Sequence, residues 1–84
     1  MNIKFLPNAY DDYIYWQETD KQILKKINAL IKDISRNPFV GIGKPEPLKE
    51  NLSSLWSRRI NLEHRLVYKI EGEDIIIFQA RYHY

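Results

Sequence analysis

The feature that most constrains this chain is a one-sided apolar stripe in its second quarter. The apolar side chains recur at offsets of 4, 7, 8 and 11 residues, which is the spacing of one helix face: Ile23, Ile27, Leu30, Ile31 and Ile34. Thr19 or Asp20 is expected to cap this helix, which should stop near Asn37, before Pro38. A stripe of about four turns is a core face rather than a coiled-coil or membrane face. The helix therefore needs another layer to cover it.

Length and composition predict a single small domain in which a sheet is the covering layer. The chain has 84 residues, so we expect one domain over residues 1–84, with one layer of helices on one sheet. Cysteine is absent, which removes disulfides and thiolate metal ligands and favours a reducing cytoplasm. We find neither a signal peptide nor an apolar run long enough for a bilayer, so we expect no export and no membrane association.

The remaining segments predict the other elements. A short strand is expected at Ile3–Leu6, and a helix capped by Asn8 over about residues 8–17. Residues 39–54, interrupted by glycines and prolines, are expected to form an extended loop. Strands should follow at roughly 55–62, 64–71 and 74–83. The fold class is therefore α+β, with two N-terminal helices packed on one face of a small, mainly antiparallel sheet.

Alternation along the strands predicts which side chains face the helices and which face outward. The predicted core face holds Trp56, Ile60, Leu62, Leu66, Tyr68, Ile70, Ile76, Phe78, Ala80 and Tyr82. The predicted outward face holds Ser57, Arg59, Asn61, Arg65, Val67, Lys69, Gln79, Arg81 and His83. Arg58 falls on the core side, so we expect a bulge or a strand end there. The open face should then carry three arginines and a histidine.

Charge distribution supports a binding role for that face. The net charge of the whole chain is only +2, but residues 56–70 contain four cations and one acid. The chain closes on Arg81-Tyr82-His83-Tyr84, which combines one cation, two aromatic rings and an imidazole, the side chain whose ordinary pKa lies nearest neutrality. Such a face suits phosphate chemistry.

Metal-independent cleavage of RNA is one chemistry that these residues can serve. RNA supplies its own nucleophile in the 2′-hydroxyl, so an enzyme needs a base, an acid and cations for the phosphorane. Glu46, restricted by a proline on each side, is the candidate base, and His83 is the candidate acid. Arg59 and Arg65 are candidates for bidentate phosphate contacts. No cofactor is expected.

Each of these residues also has a plainer interpretation. Glu46 is by itself more often a solvated loop acid, and His64 is expected in a turn or at the surface. Tyr82, Tyr84 and Trp56 are candidates for base stacking, although rings in strands more often serve packing. Two other functions stay open: a non-catalytic RNA- or ribosome-binding module, and a structural protein whose cations accept an acidic partner peptide.

The sequence also closely resembles the YoeB (Txe) ribosome-dependent messenger-RNA endonuclease toxins, a branch of the RelE superfamily. The resemblance covers essentially the whole chain and is carried by several motifs in a fixed order. They include Tyr15-Trp16-Gln17-Glu18-Thr19-Asp20-Lys21, Gly43-Lys44-Pro45-Glu46-Pro47-Leu48-Lys49, Trp56-Ser57-Arg58-Arg59-Ile60, Glu63-His64-Arg65-Leu66-Val67-Tyr68 and the closing Arg81-Tyr82-His83-Tyr84.

The resemblance implies a microbial-ribonuclease-like fold and cleavage of the codon in the ribosomal A site, which inhibits translation. It implies Glu46 as general base, His83 as general acid, Arg65 and Arg59 as phosphate ligands, and Lys49 and Tyr84 as assisting residues. It also implies a YefM-type antitoxin that blocks the site and, with the toxin, binds operator DNA and represses their operon. Toxins of this branch are often homodimers.

Overall fold

In chain order the described elements are one strand, two helices and four strands. The elements are β1 (Asn2–Phe5), α1 (Pro7–Thr19), α2 (Lys21–Arg36), β2 (Glu46–Pro47), β3 (Leu55–Arg59), β4 (Arg65–Glu71) and β5 (Asp74–Gln79). They come from a computed structural model, which describes residues 1–49 and 54–82. The described strands form one sheet in the order β1-β5-β4-β3-β2, in which only the β1–β5 pair is parallel. The predicted α+β fold class is confirmed.

The apolar stripe of α2 forms much of the core, as predicted. Ile27, Leu30, Ile31 and Ile34 are buried, and they cluster with buried residues of β4 and β5. The carboxylate of Asp20 accepts hydrogen bonds from the backbone N–H groups of residues 22 and 23, at 3.1 and 3.2 Å. Asp20 is thus the cap of α2, and the helix ends at Arg36, next to the expected residue.

The start of α1 differs from the prediction. The N-cap residue is Leu6, which makes no side-chain cap bond, and Pro7 opens the helix instead of Asn8 capping it. Proline suits the first helical position because its fixed φ is already helical and its missing N–H would have no partner there. Ala9 and Trp16 are the buried residues of α1.

A bulge in β5 reverses the predicted alternation of that strand. Tyr68 pairs with Ile77, but the preceding residue Val67 pairs with Gln79, so Phe78 is the extra residue. Ile75 and Ile77 are fully buried, whereas Ile76 and Phe78, predicted for the core, are only partly buried. Residues 75–78 are all apolar, so no alternation of polar and apolar residues shows which of them face the core.

Arg58 was expected at a bulge or a strand end. It pairs regularly, without a bulge, and β3 ends one residue later, at Arg59. It pairs with Leu66 and its side chain is fully buried on the helix side of the sheet. Predicted strand residues beyond Arg59 do not continue β3: Leu62, assigned to the core, is 88% exposed, although Ile60 is buried as predicted. The strand therefore ends three residues earlier than expected.

Every nitrogen of the Arg58 guanidinium has a partner. Nη1 donates to Asp33 Oδ2 at 2.5 Å and to the carbonyl of Ile42 at 3.1 Å. Nη2 donates to the carbonyls of residues 37 and 40, at 2.6 and 3.1 Å. Nε donates to the hydroxyl of Tyr68 at 3.3 Å, and that hydroxyl donates to the carbonyl of residue 38 at 2.6 Å. One side chain thus joins β3 to α2 and to the segment after it.

Replacing Arg58 with methionine should destabilise the protein severely. The change removes the donor of three backbone carbonyls and one of the two donors of Asp33. A buried polar group that loses its partner costs about 1–3 kcal/mol. Urea denaturation at fixed protein concentration measures this loss. The control is Lys69→Met, because Lys69 forms a more exposed pair with Glu71, at 3.1 Å, and such pairs contribute about 0–1 kcal/mol. Equal losses in the two variants would contradict the prediction.

Stability should also depend on pH through Asp33. The hydrogen bond from Arg58, together with the N–H of Ile42, holds the pKa of Asp33 below its ordinary 3.8. The unfolded chain therefore takes up this proton first as pH falls, so the stabilisation is full above 3.8 and is lost as pH falls through the folded pKa.

The comparison of wild type with Asp33→Asn isolates this effect, since all other carboxyl groups are shared. Wild type should be more stable at neutral pH, and the difference in unfolding free energy should shrink as pH falls below 3.8. A difference that stays constant over that range would contradict the assignment. The measurement is a series of urea titrations from neutral to acidic pH.

Candidate active site

The sheet face turned away from the helices collects the charged residues singled out in the sequence. In the register of the strands Glu46 lies opposite Ser57, and Arg59 lies opposite Arg65. Paired residues of antiparallel strands point to the same face, and so do residues two apart in one strand. Glu46, Arg59 and Arg65 therefore share one face, as alternation predicted for the two arginines.

Glu46 reaches this face because its segment is paired and anchored. It was expected in an extended loop, but with Pro47 it forms β2 at one edge of the sheet. The carbonyl of Gly43 accepts a hydrogen bond from the backbone N–H of Arg59 at 2.7 Å. Gly43 has a φ of 80°, and a Cβ there would lie 2.8 Å from Leu30 Cδ2. The close approach of the backbone to the core thus requires glycine at position 43. From this glycine the chain continues into β2.

Arg65 is held rigidly. Its residue is 8% exposed, and Nη1 donates to the carbonyls of residues 61, 62 and 64 at 2.8, 3.4 and 3.2 Å. All of these bonds are made by Nη1, and a planar guanidinium carries further N–H donors of the kind that bind an anion bidentately. Its neighbour Arg59 is partly buried. A carboxylate and two guanidinium groups on one face can take a proton and bind a phosphate.

Arg81 does not join this face, which corrects the predicted alternation. Its guanidinium carbon lies 3.6 Å from the ring centroid of Tyr15 in α1 and 4.6 Å from that of Tyr82. Its Nε is buried and has no hydrogen-bond partner among the described residues. β5 has ended at Gln79, so the regular alternation of a strand no longer applies. The cation is stabilised by aromatic faces beside α1.

Of the aromatic candidates, Trp56 lies on the core face that alternation predicted, whereas Tyr82 does not. Trp56 pairs with Tyr68 on the helix side of the sheet, and its ring packs against Phe39 at 4.7 Å between centroids. Tyr82 was assigned to the core, but it is 56% exposed. Packing is the observed role of Trp56.

The other predicted site residues lie at the limits of the described chain. Lys49 is exposed and directly follows the buried Leu48. His83 and Tyr84 lie outside the described residues. Across residues 1–49 and 54–82, no group of three or more His, Asp or Glu side chains is arranged to hold a metal ion. Over the same ranges no helix has the length and apolarity that crossing a bilayer requires.

His64 is buried, which no local sequence pattern indicates. A turn or surface position was expected, yet the residue is only 6% exposed. Nδ1 accepts a hydrogen bond from the backbone N–H of Tyr82 at 2.7 Å, and the imidazole meets the ring of Trp16 edge-on at 4.8 Å. These contacts join segments far apart in the sequence, so no local pattern could have shown them.

Comparison with known proteins finds relatives along the full length of the chain. The family described as the YoeB-like toxin of bacterial type II toxin-antitoxin systems matches residues 5–84. The curated Toxin YoeB of Escherichia coli (strain K12) is 60% identical over 84 residues, which is all of both chains. The solved YoeB dimer from Staphylococcus aureus is 54% identical, with a TM-score of 0.95 over 100% of this chain and 98% of that one. The YoeB-YefM complex from the same organism is 53% identical, with a TM-score of 0.92 and the same coverage.

Proposed function

The chain belongs to the YoeB-like toxins of bacterial type II toxin-antitoxin systems, and we propose that it is an endoribonuclease that cuts messenger RNA in the ribosomal A site. The observation that carries this proposal is the strand register, which aligns Glu46 with Arg59 and Arg65 on the sheet face that is turned away from the helices. A base and two phosphate ligands are three of the parts that cleavage by the 2′-hydroxyl needs.

The proposed reaction is a transesterification. Glu46 removes the proton of the 2′-hydroxyl, and the resulting oxygen forms a bond to the adjacent phosphorus. The bond from phosphorus to the 5′-oxygen then breaks, and His83 donates a proton to that leaving oxygen. The products are a 2′,3′-cyclic phosphate and a 5′-hydroxyl, and the step uses no metal ion. An acid or a base in such a role contributes about 10² to 10⁴ in rate.

The arginines have different physical tasks in this proposal. Phosphorane formation adds negative charge to the phosphate oxygens, and donors that are already in place stabilise it without reorganisation. Arg65 fits this requirement because three carbonyls fix its Nη1. Arg59, directly opposite on β3, adds a second cation at the same face. Lys49, Tyr84, Arg81 and Trp56 remain predicted substrate contacts, of which Trp56 and Arg81 lie away from the two arginines.

Partners follow from the same family membership. We propose that a YefM-type antitoxin covers the open face and inhibits the enzyme, as the Staphylococcus aureus relative forms a YoeB-YefM complex. We further propose that the complex binds operator DNA and represses its own operon, and that the free toxin forms a homodimer, like the dimer of that relative. Because the proposed substrate is messenger RNA bound to ribosomes, we expect the reaction to take place in the cytoplasm.

Substitution of the proposed base and acid tests the enzymatic function. Glu46→Gln and His83→Gln should each slow cleavage of a translated messenger on purified ribosomes by about 10² to 10⁴. Primer extension maps the breaks and gives their rates. The matched control is Glu73→Gln, an exposed acid in the turn between β4 and β5, which should cut as wild type does.

Two results would contradict the proposal in different ways. Variants of Glu46 and His83 that cut as fast as wild type would show that other groups serve as base and acid. A wild-type protein that binds ribosomes but cuts nothing would favour the non-catalytic ribosome-binding module, which needs the cations but neither proton-transfer residue.

A further inference from the structure

Beyond β5 the chain no longer forms a regular strand ladder, and side chains from elsewhere in the molecule bind its backbone. The backbone N–H of Ala80 donates to Asp12 Oδ2 at 3.0 Å, and its carbonyl accepts from Trp16 Nε1 at 2.8 Å. The backbone N–H of Tyr82 donates to His64 Nδ1 at 2.7 Å. We call Asp12, Trp16 and His64 the C-terminal clamp. Two elements distant in sequence, α1 and the turn before β4, thereby fix the position of residues 80–82.

His64 is the member of the C-terminal clamp with an imidazole ring, and its hydrogen bond to Tyr82 determines which ring nitrogen carries the hydrogen. Because Nδ1 accepts the N–H of Tyr82, it carries no proton, and the ring is the neutral form with its hydrogen on Nε2. Nε2 lies 3.6 Å from a carboxylate oxygen of Glu63. The turn itself is ordered by Asn61, whose side-chain oxygen accepts from the backbone N–H groups of residues 63 and 64 at 2.8 and 2.7 Å.

Tyr82 needs such support because its backbone conformation is unusual. Its φ is 66°, in the left-handed region that side chains other than glycine rarely adopt. Its N–H is held by His64 and its carbonyl accepts from the backbone N–H of Arg65 at 3.0 Å. The N–H and the carbonyl of Tyr82 are therefore both hydrogen-bonded, and the partner of the carbonyl is Arg65, a proposed phosphate ligand.

We propose that His64 is a positioning residue for the RNA cleavage: its neutral imidazole holds Tyr82 in the conformation from which the chain continues to the proposed acid His83. It acts through the backbone of Tyr82 and does not touch the substrate. This inference rests on the proposed function, because it assigns His83 the proton transfer. An acid displaced by an ångström from its leaving oxygen loses about 10²-fold in rate, so the hold on Tyr82 has a measurable consequence.

A matched pair of substitutions isolates the hydrogen bond. Asparagine and leucine have the same branched shape, and both remove the imidazole from Trp16, but only asparagine keeps an acceptor at the δ position. In single-turnover cleavage on saturating ribosomes, His64→Leu should be at least about tenfold slower than His64→Asn. The ribosome concentration for half-maximal rate should be the same in both variants, because neither change alters the cationic face.

Each outcome decides a different claim. Equal cleavage rates of the two folded variants, beside an active wild type, would overturn the role of His64 and leave the proposed function intact. A wild-type protein that cuts no messenger would overturn both. A slower His64→Leu whose affinity for ribosomes has also fallen would point to a general structural defect, and so would count against positioning.

NMR of the wild-type protein tests the same contact even if His64→Leu does not fold. The nitrogen shifts of the His64 ring should show hydrogen on Nε2 alone, and the amide of Tyr82 should exchange slowly with solvent. A proton on Nδ1 at neutral pH, or rapid exchange of that amide, would overturn the inference.

Discussion

The burial of the Arg58 guanidinium is the constraint on which the rest of this structure depends. A charge in the core is tolerated only when it is paired and its donors are satisfied, and here Asp33, the Tyr68 hydroxyl and three backbone carbonyls meet those needs. Those carbonyls all belong to the segment that leaves α2, so this polar contact fixes a piece of chain whose apolar side chains, Phe39, Val40 and Ile42, stay largely exposed. The core in this region is therefore specified by hydrogen-bond geometry as much as by packing.

The buried contacts of Arg58 on the helix side of the sheet also position the candidate active site on the opposite face. Arg58 and Arg59 are neighbours in β3, so anchoring the first among the helices turns the second to the open face. The anchored segment ends at Gly43, whose carbonyl binds the backbone of Arg59, and the chain then enters β2 with Glu46 on the same open face. The proposed base is brought beside the phosphate ligands by backbone pairing, which holds it more firmly than a free loop would.

The parts of the fold that were predicted correctly are those in which local pattern and tertiary contact agree. The stripe of α2 has a strong period, and Asp20 is a good cap whatever the helix packs against. β5 was predicted as a strand, but the side chains that it turns to the core were not, because its unbroken apolar run hides a bulge. Arg58 looked like a defect in the alternation since its partners lie up to 25 positions away. Within the site, Arg59 and Arg65 followed from alternation, whereas Arg81 lies past the strand end and the contact of His64 with Tyr82 is entirely non-local.

The central claim is that the open face promotes attack by the 2′-hydroxyl of RNA on its own phosphate. The most direct measurement uses ribosomes programmed with a messenger that carries one 2′-deoxy nucleotide at the site of cleavage. The all-RNA messenger should be cut to a 2′,3′-cyclic phosphate, and the deoxy messenger, bound in the same ribosomes, should not be cut at that position. Cleavage of both messengers at the same rate would contradict it.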